Sequence, residues 1–225
     1  MQWLLANFPQ VFNLTGYHLL QAVVPLVVAV IIAIPLAQLA RVNKVASGII
    51  LSAGSLLYTI PSLALFVILP GILGTRILDF SNIIVALTIY AVALLVRSTL
   101  DALNSVDDTI RQGATAMGFR PLQRFLLVDL PLSIPVLFAG LRVISVSNIS
   151  LVTVGSLLGI PSLGFLFTDG LQRNFPTEIM VGIVGTLILA VLMDAVLVLV
   201  QRLLTPWLRT AAAPSAAANP TAVSA

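Results

Sequence analysis

The sequence contains no cysteine and very few charged residues. Its 225 residues include eleven Lys or Arg, eight Asp or Glu and a single histidine, His18. Without cysteine there can be no disulfide bond, no thiolate metal ligand and no thiol nucleophile. A lone histidine with no carboxylate near it in the sequence is a poor metal ligand and cannot complete a Ser-His-Asp arrangement. We therefore predict no catalytic residue and no metal site in this chain.

The scarcity of charge indicates a membrane protein. Charged residues make up 8% of the chain and hydrophobic residues 59%, whereas soluble domains carry roughly 25% charged residues. Crossing a bilayer takes about 20 apolar residues, and five segments are long enough: 19–40, 47–69, 82–100, 132–158 and 177–203. Because hydrocarbon offers no partner for backbone N–H and C=O groups, each segment is expected to be helical. The predicted fold class is an all-α membrane protein with five transmembrane helices.

The few basic residues are distributed unevenly between the predicted loops. One side of the membrane would carry Arg41, Lys44, Arg111, Arg120, Arg124, Arg202 and Arg209, with Arg97 near it. The other side would carry only Arg76 and Arg173. Basic loops face the cytoplasm, so residues 1–15 are expected outside and the C-terminus inside. This asymmetry also explains the net charge of +3 without a nucleic-acid partner.

Both ends of the chain have a distinctive composition. No Lys or Arg precedes Arg41, and the sequence therefore predicts no secretory signal peptide. Residues 210–225 are rich in Ala, Pro and Ser and carry no charge. This composition is typical of a disordered tail, here on the cytoplasmic side.

A polar stretch, residues 101–131, separates the third and fourth apolar segments. Ser105, followed three residues later by Asp108, predicts a capping box that begins a short helix over 106–117. Gly118 can supply the left-handed residue that ends this helix, and Pro121 suits the first turn of a second one. Connections in compact proteins are usually short. A loop of this length with two helices favours a docking surface over a solvated connector.

The same stretch resembles the cytoplasmic loop of bacterial ABC importer permeases. The family motif reads Glu-Ala-Ala, three residues, Gly, nine residues, Ile-x-Leu-Pro. This chain keeps the spacing with Gln112-Gly113-Ala114, Gly118 and Val128-Asp129-Leu130-Pro131. Three positions depart from the family motif: Gln112, Gly113 and Val128. Gln112 lacks the charge of the glutamate through which a salt bridge to the ATPase could form. The resemblance implies a type I importer permease over 16–203, with residues 112–131, including Pro121, coupled to an ATPase.

Three other stretches resemble the permeases of osmoprotectant importers. They are residues 58–74, 95–107 and 163–176, and such importers move glycine betaine, carnitine, choline or proline betaine. The resemblance implies an ABC ATPase dimer, an extracytoplasmic solute-binding protein and a second, identical or homologous permease in the bacterial inner membrane. No Gly-x4-Gly-Lys-Ser/Thr motif occurs in the chain. We therefore expect this chain to bind no cofactor and the separate ATPase to hold ATP and Mg.

Two alternatives to this function remain open. One is an ABC importer permease for another small solute, such as an amino acid. The other is a secondary transporter, which would usually show more ionisable residues within the membrane and internal repeats.

Polar residues within the apolar segments provide further candidates. Arg142 and Asp194 would lie at similar depths, some 12–16 Å from the cytoplasmic end at about 1.5 Å per residue. An isolated charge there is costly, which favours an ion pair; the alternative is a snorkelling arginine and a carboxylate bonded to a hydroxyl. Possible pathway-lining residues are Tyr58 and Tyr90, through cation–π attraction, and Ser145 and Asn148. For all four, helix packing is an alternative, and the tyrosines could also be anchors at the membrane interface.

Prolines and one apolar loop suggest irregular backbone. Pro25 and Pro35 lie in the first apolar segment and Pro61 in the second, which predicts bent helices. Residues 159–170 are too apolar for an ordinary loop. They predict a short re-entrant or interfacial segment that does not span the membrane.

Overall fold

The computed structural model describes residues 2–76 and 79–208, and all regular structure within these two ranges is helical. The helices in chain order are α1 (Gln2–Ala6), α2 (Phe8–Val42), α3 (Lys44–Thr59), α4 (Ser62–Leu73), α5 (Phe80–Asn104), α6 (Asp108–Ala116), α7 (Pro121–Arg124), α8 (Leu130–Gly155), α9 (Phe165–Gln172) and α10 (Pro176–Leu204). A π-helical turn, Phe125–Asp129, joins α7 to α8, and a 3-10 turn, Ser156–Leu158, follows α8. Arg209 and the predicted disordered tail, 210–225, lie outside the described residues.

The five predicted apolar segments are all helical: four are continuous and long enough to span a membrane, and the second is a bent pair of helices. The continuous spans are Phe8–Val42, Phe80–Asn104, Pro121–Leu158 and Pro176–Leu204. The second segment is not one helix, because α3 and α4 meet at an angle of 104°. Pro61 disfavours helical backbone at the residue before it, and Ile60 is extended, with φ −66° and ψ 128°. Pro25 and Pro35 lie within α2 without interrupting it.

Helix α5 lies at the centre of the bundle and packs against α2, α3 and α8. Its contact with α2 uses small residues at four-residue spacing, Ala29, Ala33 and Ala37, all fully buried. Small residues allow membrane helices to approach closely. Gly140 does the same for α8, since a Cβ atom there would lie 1.7 Å from the Ser98 Oγ. Close packing therefore fixes the relative positions of α2, α5 and α8.

The segment before α9 folds back onto the bundle without crossing it. Leu163 and Leu166 are fully buried and pack with Leu14 of α2 and Leu189 of α10. Gly164 fits because it has no side chain: a Cβ atom there would lie 2.5 Å from the carbonyl oxygen of Thr153. At eight residues, α9 is too short to span a bilayer. This agrees with the non-spanning apolar segment predicted for 159–170.

Candidate functional site

The polar loop begins later than predicted, and its first helix, α6, is capped by a different residue. Helix α5 continues to Asn104, and the Ser105 hydroxyl donates back to the Ala102 carbonyl at 2.7 Å. The predicted capping box is therefore wrong, because Ser105 ends α5 instead of beginning α6. Asp107 is the actual N-cap of α6: its carboxylate accepts from the Thr109 N–H and hydroxyl, both at 2.8 Å. These donors stabilise the ionised form and hold the pKa of Asp107 below its usual value.

Gly118 forms the turn between α6 and α7, as predicted. Its φ is +87°, a left-handed conformation that glycine adopts without a steric cost. The Gly118 N–H donates to the Thr115 carbonyl at 3.0 Å, and the Phe119 N–H donates to the Ala114 carbonyl at 3.2 Å. These bonds satisfy the last carbonyls of α6. Because a Cβ atom at Gly118 would meet nothing within 4 Å, only the backbone conformation requires glycine here.

The second short helix of the loop leads without a break into the fourth apolar segment. Pro121 begins α7, as expected, but α7 passes through the π-helical turn directly into α8, forming one apolar span from Pro121 to Leu158. Pro131 therefore lies in the first turn of α8. A proline ring clashes with the carbonyl four residues earlier, here that of Leu127, and the wider π-helical turn gives it room. The loop is rigidly continuous with the fourth apolar segment.

The buried carboxylate of Asp129 anchors the loop. It is only 1% exposed and contacts guanidinium groups at 3.0 Å (Arg41 Nη2), 3.2 Å (Arg111 Nε) and 3.9 Å (Arg124 Nε). Arg111 also bonds Asp108 at 2.7 Å and the carbonyl of Leu103. This arrangement, called here the Asp129 cluster, ties the end of α2 to both short helices. The motif predicts no role for Asp129, although an acidic residue within a motif is notable in a chain with only eight acidic residues.

Around this anchor, half of the eight predicted coupling residues are exposed. Gln112, Gly113, Gly118 and Pro121 are exposed, whereas Ala114 is buried and Val128, Leu130 and Pro131 are half-buried. Large apolar side chains are exposed beside them: Ile110, Met117 and Leu122. A concave cavity of about 430 Å³ opens on the same surface, lined by Asp108, Arg111, Gln112, Thr115, Ala116 and Arg124. The loop thus presents a rigid surface with apolar, polar and basic groups.

The predicted ion pair between α8 and α10 is present. Arg142 donates to both carboxylate oxygens of Asp194, from Nε at 2.6 Å and from Nη2 at 2.8 Å. Such bidentate geometry is the strongest form of this interaction. The two side chains remain 40% and 34% exposed, so the pair lies on the flank of the bundle and not in its core.

The four candidate pathway residues differ sharply in exposure. Tyr90 is buried and donates its hydroxyl to the Ile60 carbonyl at 2.6 Å. Ser145 and Asn148 are also buried and bond backbone carbonyls, at 2.9 Å (Arg142) and 3.5 Å (Ala22). All three side chains are buried and bonded to backbone carbonyls in this conformation, and their place on a transport pathway stays a prediction. Tyr58 is different: it is 48% exposed and borders a cavity.

Comparison with known proteins identifies the family. Residues 26–210 match the family described as "Binding-protein-dependent transport system inner membrane component". The chain belongs to this family. It is a multi-pass permease subunit of the bacterial inner membrane.

Two curated relatives match the permease over nearly its full length. The choline transport system permease protein OpuBB of Bacillus subtilis (strain 168) is 30% identical over 206 residues, which cover 92% of this chain and 94% of the relative. The glycine betaine/carnitine/choline transport system permease protein OpuCB of the same organism has the same identity and coverage.

A solved structure shares the fold. An inward-facing crystal form of the MetNI methionine ABC transporter is 21% identical, with a TM-score of 0.76 over 88% of this chain and 97% of that chain. At this identity the likeness shows the fold alone. The permease therefore has the predicted type I importer architecture.

The single histidine of the permease belongs to its packing. His18 is fully buried in α2, and its Nε2 lies 3.1 Å from the Ile149 carbonyl oxygen of α8. One turn further along, the Gln21 amide donates to the Pro161 carbonyl at 2.8 Å. Among the described residues, no three His, Asp or Glu side chains are grouped as a metal site would require. His18 and Gln21 connect α2 to α8 and to the segment before α9.

Proposed function

We propose that this permease moves quaternary-amine osmoprotectants of the glycine betaine, carnitine, choline and proline betaine class in an ATP-driven importer. One observation carries the proposal: about 30% identity over 92% of the chain to permeases named for choline, glycine betaine and carnitine transport. Choline, glycine betaine and carnitine share a trimethylammonium group. The likeness to the methionine transporter, at 21% identity, supports the fold and not an amino-acid substrate.

The proposed assembly contains an ABC ATPase dimer, an extracytoplasmic solute-binding protein and a second permease, identical or homologous to this one. The ATPase holds ATP and Mg and docks on the loop between α5 and α8. Two features support this docking surface: its exposed motif residues and the 430 Å³ cavity beside them. The Asp129 cluster keeps the surface in a fixed position relative to the bundle.

The proposed orientation places this loop in the cytoplasm and the N-terminus outside. Arg41, Arg111 and Arg124 converge on Asp129, so the basic residues of two separate loops lie at the same end of the bundle. Arg173 lies just before α10, whereas Arg202 lies in the last turn of that helix. The basic end would face the cytoplasm.

The continuity of α7 with α8 suggests how ATPase movement reaches the membrane. A displacement of α7 is carried through the π-helical turn into α8, because no break separates them. The contact between Arg41 and Asp129 carries the same displacement to α2. Both helices would then tilt together as the permease alternates between inward-open and outward-open states.

The test is solute uptake by the complete importer. The permease would be expressed with the ATPase and binding protein from its own gene neighbourhood, in cells that lack other osmoprotectant uptake. We expect saturable uptake of at least one of choline, carnitine and glycine betaine, with competition by the others and none by methionine. Uptake of methionine without uptake of any quaternary amine would contradict the proposal.

A further inference from the structure

A cavity between α3, α5 and α8 combines an aromatic ring with an exposed ion pair. Its volume is about 470 Å³, and its polar lining comes from Tyr58 and Ser55 of α3 and from Arg97, Ser98 and Asp101 of α5. Pockets for small molecules have volumes of about 300–1,000 Å³ and are largely apolar, with a few polar groups that orient the ligand. This cavity has that size and that composition.

The cavity extends along helices that are long and apolar enough to span the membrane. Arg97 is seven residues before the end of α5, about 10 Å from it, and Tyr58 is fourteen residues into α3, about 21 Å from its start, at 1.5 Å per residue. Both of these helix ends lie at the end of the bundle that carries the Asp129 cluster. The cavity therefore runs from near this end of the bundle toward the middle of α3 and α5.

The Arg97–Asp101 pair is loosely bonded and open. Its single contact, from Nε to Oδ2, measures 3.4 Å, and the side chains are 67% and 60% exposed. By contrast, the Arg142–Asp194 pair is bidentate and short. Charged side chains on spanning helices face water or a partner, because exposure to lipid is costly. A guanidinium group has five N–H donors, so Arg97 can bind a further anionic group without losing Asp101.

The Tyr58 ring, which also lines the cavity, is held in place by a second ring. It packs perpendicular to Tyr90, with 5.8 Å between ring centroids, and Tyr90 is fixed by its hydrogen bond to the Ile60 carbonyl. Aromatic rings attract cations that approach their faces. A trimethylammonium group suits such a ring because it carries no N–H and so needs no hydrogen-bond acceptor.

Taking the proposed substrate class as given, we infer that this cavity is a binding site for quaternary amines on the transport route. Tyr58 binds the trimethylammonium group, and Arg97 binds the carboxylate of a zwitterion such as glycine betaine. Asp101 neutralises Arg97 while the cavity is empty. Choline has no carboxylate, so its binding depends on Tyr58 and the Asp101 carboxylate but not on Arg97.

The experiment measures uptake of radiolabelled glycine betaine and choline by the complete importer. We expect Tyr58→Leu to reduce uptake of both solutes by roughly tenfold, equivalent to about 1.4 kcal/mol, and Tyr58→Phe to retain most of it because the ring remains. Tyr17→Leu is the matched control, since Tyr17 is also exposed and in edge contact with an aromatic ring, Phe80. Membrane levels and ATPase retention of each variant establish that it folds.

The Arg97→Gln variant separates this site from a structural role. It should lower the ratio of glycine betaine to choline uptake by roughly tenfold, whereas a variant that merely misfolds would lower both equally. Arg173→Gln is its control, because Arg173 also pairs with an acid four residues away, at 2.8 Å. Normal uptake in all Tyr58 and Arg97 variants would overturn the site while leaving the proposed function intact. A wild-type importer that transports no quaternary amine would overturn both.

Discussion

The two main charge clusters of this permease differ in burial and in the ratio of acidic to basic residues. At one end of the bundle, a single buried carboxylate, Asp129, is shared by three arginines from α2, α6 and α7. On the flank of the bundle, Arg142 and Asp194 form a self-contained, half-exposed pair between α8 and α10. Removing Asp129 takes the shared carboxylate away from three arginines at once. Arg142 and Asp194, by contrast, can be replaced together so that no charge is left unpaired. The first is therefore the more vulnerable junction.

The largest effect is expected from Asp129→Asn. Breaking a buried ion pair by removing one partner costs about 3–5 kcal/mol, and the partial exposure of the arginines places this case near the lower value. We expect a lower melting temperature in detergent, loss of uptake and release of the ATPase during purification. Asp108→Asn is the control for the melting temperature alone, because Asp108 is 79% exposed and such pairs contribute little to stability, whereas its side chain also lines the docking cavity. An equal loss of stability from the two substitutions would show that the buried carboxylate of Asp129 matters no more than the exposed one of Asp108.

A smaller loss of stability is expected from Gly118→Val. A side chain at this positive φ should strain the turn by roughly 1–3 kcal/mol and shift α7 relative to α6. Insertion should be normal, while uptake and ATPase retention fall. Gly16→Val is a close control: a Cβ atom meets nothing within 4 Å at either glycine, Gly16 lies within α2 and outside the loop, and of the two only Gly118 has a positive φ. Full transport by Gly118→Val would show that the loop tolerates a distorted turn.

The smallest effect is expected at the flanking pair. Asp194→Asn should lower the melting temperature by only a few degrees, because both side chains are partly exposed. Replacing Arg142 and Asp194 together by leucine should restore most of the loss, since no charge is then left unpaired. A double variant as unstable as the single one would show that the two residues do not act as a pair.

These clusters also show what the sequence could reveal. The Arg142–Asp194 pair could be predicted because two antiparallel spans place their residues at calculable depths. Gly118 and Pro121 could be predicted because their backbone requirements are local. The Asp129 cluster could not, since Arg41 lies 88 residues from Asp129 along the chain.

Other differences arise from tertiary packing that no local signal encodes. Ser105 carries a capping-box signal for the start of α6. Instead, α5 continues to Asn104, and the Ser105 hydroxyl donates to a carbonyl at the end of α5. Pro61 predicts a bend, but its size depends on how α4 packs against α5. Ser145 and Asn148 lie on a face of α8 that is buried within the bundle, and periodicity alone cannot distinguish a buried polar face from one that lines a pathway.

Labelling of single cysteines tests most directly the central claim that the anchored loop meets a cytoplasmic ATPase. The chain has no native cysteine, so each introduced thiol is the only one it carries. With a membrane-impermeant maleimide, Gly74→Cys and Asn174→Cys should be labelled in intact cells, and Gln123→Cys only after the membrane is opened. Labelling of Gln123→Cys in intact cells would place the loop outside and contradict the account.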